Sequence, residues 1–437
     1  MNTSIEKRTI KKVGLRLIPL MLVCYLVNYL DRINVGFAAL HMNEDVGITA
    51  TVFGWGAGLF FISYFLCEVP SNMALHRVGA RRWIARIMIT WGIVSTCFAF
   101  VQGPVSFMAL RFLLGIAEAG FFPGMVLYIS YWFPQEYRGR LTALFMTAIP
   151  LSALIGAPLS GFLLETASFW SIASWKWMFI IEGVPAIILG VVVLVYLTDR
   201  PSEAKWLTPE EKDWLVSKLS VEKTASHLSS FKDAFKSLNV MLMGVIHLGF
   251  AVGSYGIAIW LPQILKGHGL SSFHIGLMSM IPYGVAIVGM IAWGALSDKS
   301  SNRSLHVAAS CLLGAIGLLI AAAVPTLSGA MVGISISTLG VIAARPIFWT
   351  LPGSFLTGSA AAAGIAFINA FGNLGGFIGP YVIGLIKDQT GSFTLGIVAT
   401  SLPLALSVVA ALVLAKRLAP LRAVAATNTS ESVQEPI

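Results

Sequence analysis

The chain is predicted to be an all-α membrane protein, with twelve transmembrane helices in two six-helix halves around a central cavity. Three observations predict it. Of 437 residues, 57% are hydrophobic and 11% charged, whereas soluble globular proteins carry roughly 25% charged residues. The apolar residues gather in runs of roughly 20, the length that a ~30 Å hydrocarbon core demands. Short sequence echoes recur between the two halves at nearly one separation, which marks a duplicated unit.

Taken in order, Met1–Lys12 is polar and basic, and the apolar run after it is long enough to span, so no cleavable signal peptide is expected. The spans are expected near 15–37, 52–74, 83–101, 105–130, 140–164, 177–197, 239–263, 273–296, 305–324, 329–352, 358–385 and 393–415. Prolines 123, 158, 352 and 380 are candidate kinks. Gly115, Gly120 and Gly124, like Gly372, Gly375, Gly376 and Gly379, allow helices to approach closely or bend. The long polar stretch Thr198–Leu238 divides the spans six and six. Within it Thr208-Pro209-Glu210-Glu211 fits a capping box with proline at the first helical position. A short amphipathic helix is expected along Pro209–Leu219, with Trp206, Trp214 and Leu215 near the membrane surface. The expected organisation is a first bundle over 1–197, a linker over 198–238, a second bundle over 239–415 and a tail over 416–437.

The echoes are specific. The loop after the second span, His76–Arg82, matches Gly294–Lys299 after the eighth. G-A-P-L-S-G from Gly156 to Gly161 matches G-P-Y-V-I-G from Gly379 to Gly384. Parallel repeats of this kind are a standard transporter plan, with the substrate site at the midplane.

The net charge of +9 does not point to nucleic acid. Lys176, Lys266 and Lys387 are the basic residues of one set of loops, Arg32, Arg111 and Arg345 lie inside spans, and every other Lys and Arg falls in the tails and alternate loops. By the positive-inside rule both termini and the linker are cytoplasmic. Cys24, Cys67, Cys97 and Cys311 lie in apolar runs without metal-ligand spacing and are expected as small buried residues. No phosphate-binding loop, zinc motif or nucleophile elbow is present, so neither an enzyme nor an ATP-driven pump is expected, and no cofactor or metal.

Few ionisable residues lie deep in the spans: Asp31 and Arg32 in the first, Arg111 and Glu118 in the fourth, Arg345 in the tenth, with Glu68 and Glu182 nearer span ends. Charges there are costly unless paired or lining a water-filled cavity. Arg111 and Glu118 are a heptad apart and share a helix face, with ~20° of drift. Arginine cannot shed its proton, so three guanidiniums against two deep carboxylates leave positive charge for an anion. A planar guanidinium holds a carboxylate by two parallel hydrogen bonds. A carboxylate that loses its arginine in low dielectric binds a proton instead. Asp31 and Glu118 are therefore the expected proton-coupling residues. Arg32, Arg111 and Arg345 are the expected anion binders, with Tyr29, Tyr64, Trp349, Asn369 and Asn373 as groups that orient the substrate. Ordinary helix packing explains Tyr64, Asn373 or Trp349 equally well when each is taken alone. Glu68, Arg77, Arg81 and Asp298 stand at span ends as expected gating residues.

These residues sit in longer matching stretches: N-Y-L-D-R-I-N-V-G-F-A (Asn28–Ala38), R-F-L-L-G-I-A-E-A-G-F-F-P-G (Arg111–Gly124), W-K-W-M-F-I-I-E-G-V-P-A (Trp175–Ala186), R-P-I-F-W-T-L-P (Arg345–Pro352) and I-N-A-F-G-N-L-G-G-F-I-G-P (Ile368–Pro380). With them the chain resembles the major facilitator superfamily, and within it the anion:cation symporter family, from Lys12 to Lys416. The nearest look is to bacterial tartrate-type and related aromatic-acid permeases. The resemblance implies alternating access, proton-driven uptake of an organic anion, and residence in a bacterial inner membrane. It implies that Arg32 binds the substrate carboxylate, that Asp31 and Glu118 carry protons, and that Arg111 pairs with these acids. It further implies that Tyr29, Tyr64, Trp349 and Asn369 line the pocket. Two departures stand out: His76 replaces the usual aspartate of the loop after the second span, and Thr147–Ser152 lacks the glutamine of galactonate-type permeases.

The expected function is a proton-coupled symporter, working as a monomer in the lipid bilayer and importing a small organic anion. Arg345 as an extra guanidinium favours a dicarboxylate such as tartrate. The alternatives are uptake of an aromatic or sugar-acid monocarboxylate, a facilitator or exporter of such anions, and, from another class, a transport-dead membrane sensor.

Overall fold

The computed structural model describes residues 2–168, 170–224, 237–300, 302–356 and 358–431. Parts of the expected linker (225–236) and tail (432–437) lie outside the described residues. Among the described residues there are twelve helices long and apolar enough to cross a membrane. Helices α1 (Asn2–Asp45), α2 (Ala50–Val78) and α3 (Ala80–Cys97) are continuous. The fourth span divides into α4 (Pro104–Glu118) and α5 (Phe121–Trp132), the fifth into α6 (Gln135–Met146) and α7 (Ala148–Thr166). The sixth is α8 (Ser174–Tyr196), and the linker contributes α9 (Pro209–Thr224). Then come α10 (Leu238–Lys266), α11 (Ser272–Asp298) and α12 (Arg303–Ala323). The tenth span divides into α13 (Leu327–Ala343) and α14 (Arg345–Phe348), and the eleventh into α15 (Gly358–Asn373) and α16 (Gly375–Thr390). Helix α17 (Thr394–Glu431) closes the chain.

The breaks fall in the fourth and fifth spans and in the tenth and eleventh, and proline chemistry accounts for three of them. A proline has no N–H to give the carbonyl four residues back, and its ring clashes with that carbonyl. Pro123 frees the carbonyl of Ala119, which accepts instead from Ser71 Oγ at 2.6 Å. The next residue, Gly120, takes the left-handed conformation at φ 88° that favours glycine. Pro150 ends α6 at Met146, and Pro346 ends α13 near Ile342. Pro158 and Pro380 instead lie inside unbroken helices, and Pro352 opens a short 3₁₀ turn, so these three do not mark breaks.

By packing, the chain forms two units. The first comprises Met1–His227 with Tyr255–Gly284 and Phe377–Gly396; the second comprises Leu228–Ser254, Val285–Gly376 and Ile397–Ile437. In the first unit α3 lies against α8 along Gly92 and Gly183. A Cβ on either would come within 3.0–3.2 Å of the other's carbonyl oxygen, so only small residues permit this approach. At the end of this unit away from Asn2, carboxylates cap helix starts. Asp388 accepts from the amides of Ala50 (3.2 Å) and Thr51 (2.7 Å), and Glu165 from that of Phe273 (2.9 Å). Each satisfies donors that have no partner within their own helix and meets the positive end of its dipole. Lys266 Nζ donates to Leu40 O at 2.5 Å and to Glu44 at 3.0 Å.

The linker helix forms with the expected capping box: Thr208 N donates to Glu211 Oε2 at 3.0 Å and Glu211 N to Thr208 Oγ1 at 3.3 Å. Its apolar side packs on protein. Leu215 is fully buried, and Trp206 stacks on Trp132 with ring centroids 5.4 Å apart. Glu211 receives Lys12 at 2.8 Å and Arg8 at 3.1 Å, tying α9 to the start of α1. Burial pushes the Glu211 carboxyl up, but the Lys12 and Thr208 hydrogen bonds and the two cations outweigh it and hold the group below its ordinary 4.5.

In the second unit α12 packs on α13, and α17 meets the first half of α10 through Ser407 Oγ to Val245 O (3.2 Å) and Arg417 Nε to Asn239 Oδ1 (2.8 Å).

Candidate functional site

The span-one dipeptide divides its two charges between different neighbours. Asp31 is 1% exposed and accepts three hydrogen bonds: from Trp91 Nε1 (2.6 Å), Ser95 Oγ (2.8 Å) and Asn34 Nδ2 (3.1 Å). The sequence left an arginine of another helix as its partner. Two donors from α3 and one from its own helix take that place, because α3 lies where an arginine would have to reach.

Arg32 points the other way and forms an ion pair with Glu118 through Nε and Nη2. Glu118 is the last residue of α4, where the helix dipole is negative and a carboxylate needs a cation. The break at Ala119 places it there. Arg32 Nη1 donates to the Tyr255 hydroxyl at 3.3 Å, and the guanidinium carbon lies 5.1 Å from the Tyr64 ring centroid and 5.4 Å from that of Phe60. The ring of Tyr29 is 6.5 Å from that of Tyr255. Tyr29, Tyr64, Arg32, Glu118 and Asp31 are thus brought into one cluster of the first unit. Beside it Asn28 is fully buried near Glu118, with its amide outside hydrogen-bonding geometry, and Glu118 Oε2 has no partner among the described residues.

Arg111 differs from expectation. Instead of an acid, it donates to two backbone carbonyls of α2, Gly56 O (3.3 Å) and Ala57 O (3.2 Å), under the Phe60 ring at 5.0 Å. The close approach of α4 to α2 brings those carbonyls nearer than either carboxylate. The inventory of charge also changes. Glu182, expected nearer a span end, is 2% exposed within α8 and accepts from Ser160 Oγ at 2.7 Å. Within the spans of this unit three deeply buried carboxylates, Asp31, Glu118 and Glu182, are thus counted against the two guanidiniums of Arg32 and Arg111, and no surplus of guanidinium remains there.

In the second unit Arg345 opens the short helix α14 and donates to Ser254 Oγ at 2.6 Å; its Nε has no partner among the described residues. Trp349, one turn on, meets the ring of His247 edge-on at 5.2 Å. His247 lies near Arg345, hydrogen-bonds Ile368 O through Nδ1 at 3.1 Å and stacks on Phe348 at 5.7 Å. Asn373 ends α15, and Asn369 stands one turn before it.

At the expected gates, Arg81 is bound through its amide to Asp199 at 2.8 Å and through Nε at 3.9 Å, so an acid from beyond the sixth span serves that loop. Asp298 pairs with Arg303 at 3.8 Å. Glu68 is buried near Tyr64, and Arg77 is exposed. His76 meets the Tyr131 hydroxyl at 3.1 Å.

Tyr255, His247, Glu182 and Asp388 were not singled out as site or gate residues. For the first three a polar residue inside an apolar run was the one available signal, and histidine and tyrosine are ordinary enough there to pass as packing; Asp388 stands among polar residues past the expected end of the eleventh span.

Residues 21–380 match the model of the Major Facilitator Superfamily. The chain is 50% identical over 418 residues to a protein of Agrobacterium vitis named "Putative tartrate transporter", covering 95% of this chain and 96% of that one. It is 41% identical over 396 residues to the quinolone resistance transporter of Acinetobacter baumannii, covering 90% and 91%. In structure it is similar to a bacterial homologue of the human lysosomal transporter Spinster, solved inward-facing and unoccupied, with TM-score 0.74, 17% identity and coverage of 92% and 97%. Relatives and fold are those of membrane transporters and not of enzymes. The chain is a multi-pass membrane transporter and belongs to the Major Facilitator Superfamily.

Proposed function

We propose that the protein imports a small dicarboxylate such as tartrate together with protons. One observation carries the reading: the guanidinium of Arg32 is held by the fully buried carboxylate of Glu118. An anionic substrate that takes over Arg32 leaves Glu118 as an uncompensated buried charge, a state that binding a proton relieves. Substrate and proton are then needed together, which is symport. Tyr64 and Tyr255 flank the guanidinium, with Tyr29 beside Tyr255, and supply aromatic faces and hydroxyls suited to a hydroxylated anion. The likeness to the protein named for tartrate supports the choice of substrate. No cofactor is needed, since the proton gradient drives accumulation. The lysine and arginine asymmetry supports cytoplasmic termini, and the bacterial relatives support residence in a bacterial inner membrane.

The test is uptake of labelled tartrate into proteoliposomes with an imposed proton gradient. Accumulation is expected with the gradient and is expected to vanish with an uncoupler; accumulation that survives without a gradient refutes coupling. Arg345→Ala is expected to impair dicarboxylate uptake more than monocarboxylate uptake, and equal losses reject the dicarboxylate role. The relative named for quinolone resistance favours a second reading, export. Accumulation of tartrate within acid-inside, inside-out vesicles would favour that reading.

A further inference from the structure

Glu182 is the deeply buried carboxylate that the proposed cycle leaves unused. It lies 2% exposed in α8. Ser160 of α7 donates to Oε1 at 2.7 Å, and Oε2 has no hydrogen-bond partner among the described residues. The elements packed on α8 are α1, α3, α7 and the 3₁₀ turn Phe98–Phe100. From α1, Asn34 and Asp31 face Glu182, and from α7, Ser160. Helix α3 presents Gly92 and Thr96 to this stretch of α8, and the turn is apolar. No lysine, arginine or histidine stands among these groups, so Glu182 meets no counter-charge there. Asn34 lies between the two acids: its Nδ2 donates to Asp31 Oδ1 at 3.1 Å, and its amide also faces Glu182.

We propose that Glu182 is a third proton-binding carboxylate of this transporter, and that Glu182 and Asp31, with the Asn34 side chain between them, share one negative charge. Asp31 also faces Glu118, itself paired with Arg32, and Arg111, which is engaged with the carbonyls of α2, whereas no cation faces Glu182. Two carboxylates in one low-dielectric pocket with so little counter-charge favour a single shared negative charge. The three donors on Asp31 stabilise its charged form, since hydrogen bonds to an ionised acceptor are the strong ones. Glu182, which accepts from Ser160 and has the Asn34 amide, already given to Asp31, beside it, carries the proton. A proton arriving at Asp31 removes the opposing charge and allows Glu182 to release its own, so the two titrate as a coupled pair. The part this plays in transport rests on the proton-coupled reading above; the protonation of Glu182 does not.

The experiment is infrared spectroscopy of the purified full chain in lipid nanodiscs across a pH series, reading the carbonyl stretch of protonated carboxyl groups. Glu182→Gln is expected to remove one protonated-carboxyl band present in the wild type. Asp31→Asn is expected to move the pH at which that band disappears. Ser160→Ala keeps the carboxyl and is expected to shift the band to higher frequency through loss of a hydrogen bond. The proposal is overturned if wild-type and Glu182→Gln spectra coincide in that region, or if Asp31→Asn leaves the band's pH of loss unmoved. Should Glu182→Gln fail to fold, a band unshifted by Ser160→Ala overturns it. Tartrate uptake that proves independent of protons would defeat the symport reading and leave the Glu182 band in place. Proton-coupled uptake without that band would defeat only the present inference.

Discussion

Glu118→Gln isolates the competition on which the symport reading depends. In the structure Arg32 Nε donates to Glu118 Oε1, Nη2 lies in ion-pair contact with the same oxygen, and the pair is desolvated, with side chains 12% and 0% exposed. A hydrogen bond to a charged group contributes about 1.5–3 kcal/mol net. An anion that captures Arg32 must give up that contribution. The glutamine amide keeps the shape and an acceptor oxygen but loses the charge, so the anion has that much less to displace. Tartrate binding at neutral pH should therefore tighten by roughly ten- to a hundredfold, about 1.5–3 kcal/mol. Its dependence on pH should flatten, because a proton is no longer needed to neutralise the displaced group. Calorimetric titration of purified protein at several pH values measures both. In proteoliposomes the variant should exchange tartrate for tartrate yet fail to accumulate it. Binding no tighter than wild type, with an unchanged pH profile, would refute the reasoning.

Arg111→Lys keeps the charge but cannot bridge the carbonyls of Gly56 and Ala57. One buried acceptor is then left unmet at a cost of about 1–3 kcal/mol, to be seen as a lower unfolding temperature. Asp388→Ala should destabilise the start of α2 by about 0.5–2 kcal/mol, with Asp388→Asn recovering part of the loss; thermal unfolding again reports it. Glu211 has its carboxyl held below 4.5 in the fold. Its contribution to docking α9 on α1 is thus fully present above that value and lost as pH falls through the lower, folded one. Hydrogen exchange along α9 should quicken in Glu211→Gln at neutral pH and in the wild type only in stronger acid; equal protection in both proteins at neutral pH would dismiss the Glu211 contacts as a clamp.

Some of the site was legible residue by residue. Asp31, Arg32, Arg111 and Glu118 drew notice because charge inside an apolar run is costly, and all four lie buried or nearly so in the first unit. Their pairing was not legible. Heptad spacing places Arg111 and Glu118 on one side of the fourth span, but the break at Ala119 and Gly120 ends α4 at Glu118 and hands that acid to Arg32. Pro123 was visible as a kink candidate, whereas Pro150 and Pro346, where two further spans break, were not. A proline marks where a helix can break, and only packing shows whether it does: the chain runs unbroken through Pro158 and Pro380.

The sequence by itself determined the twelve spans, the linker between the sixth and seventh, and the class of protein. Apolar run length and the cost of buried charge are local quantities, set by the chain's own residues and by bilayer thickness. Tertiary structure decided which donor meets which carboxylate, because that depends on contacts between helices far apart in the chain. Asp31 rests on Trp91 and Ser95, Arg111 on the carbonyls of α2, and Glu182 on Ser160. Those contacts follow from where small residues such as Gly92 and Gly183 let helix backbones touch, and the periodicity of a single helix does not reveal which neighbour it will meet.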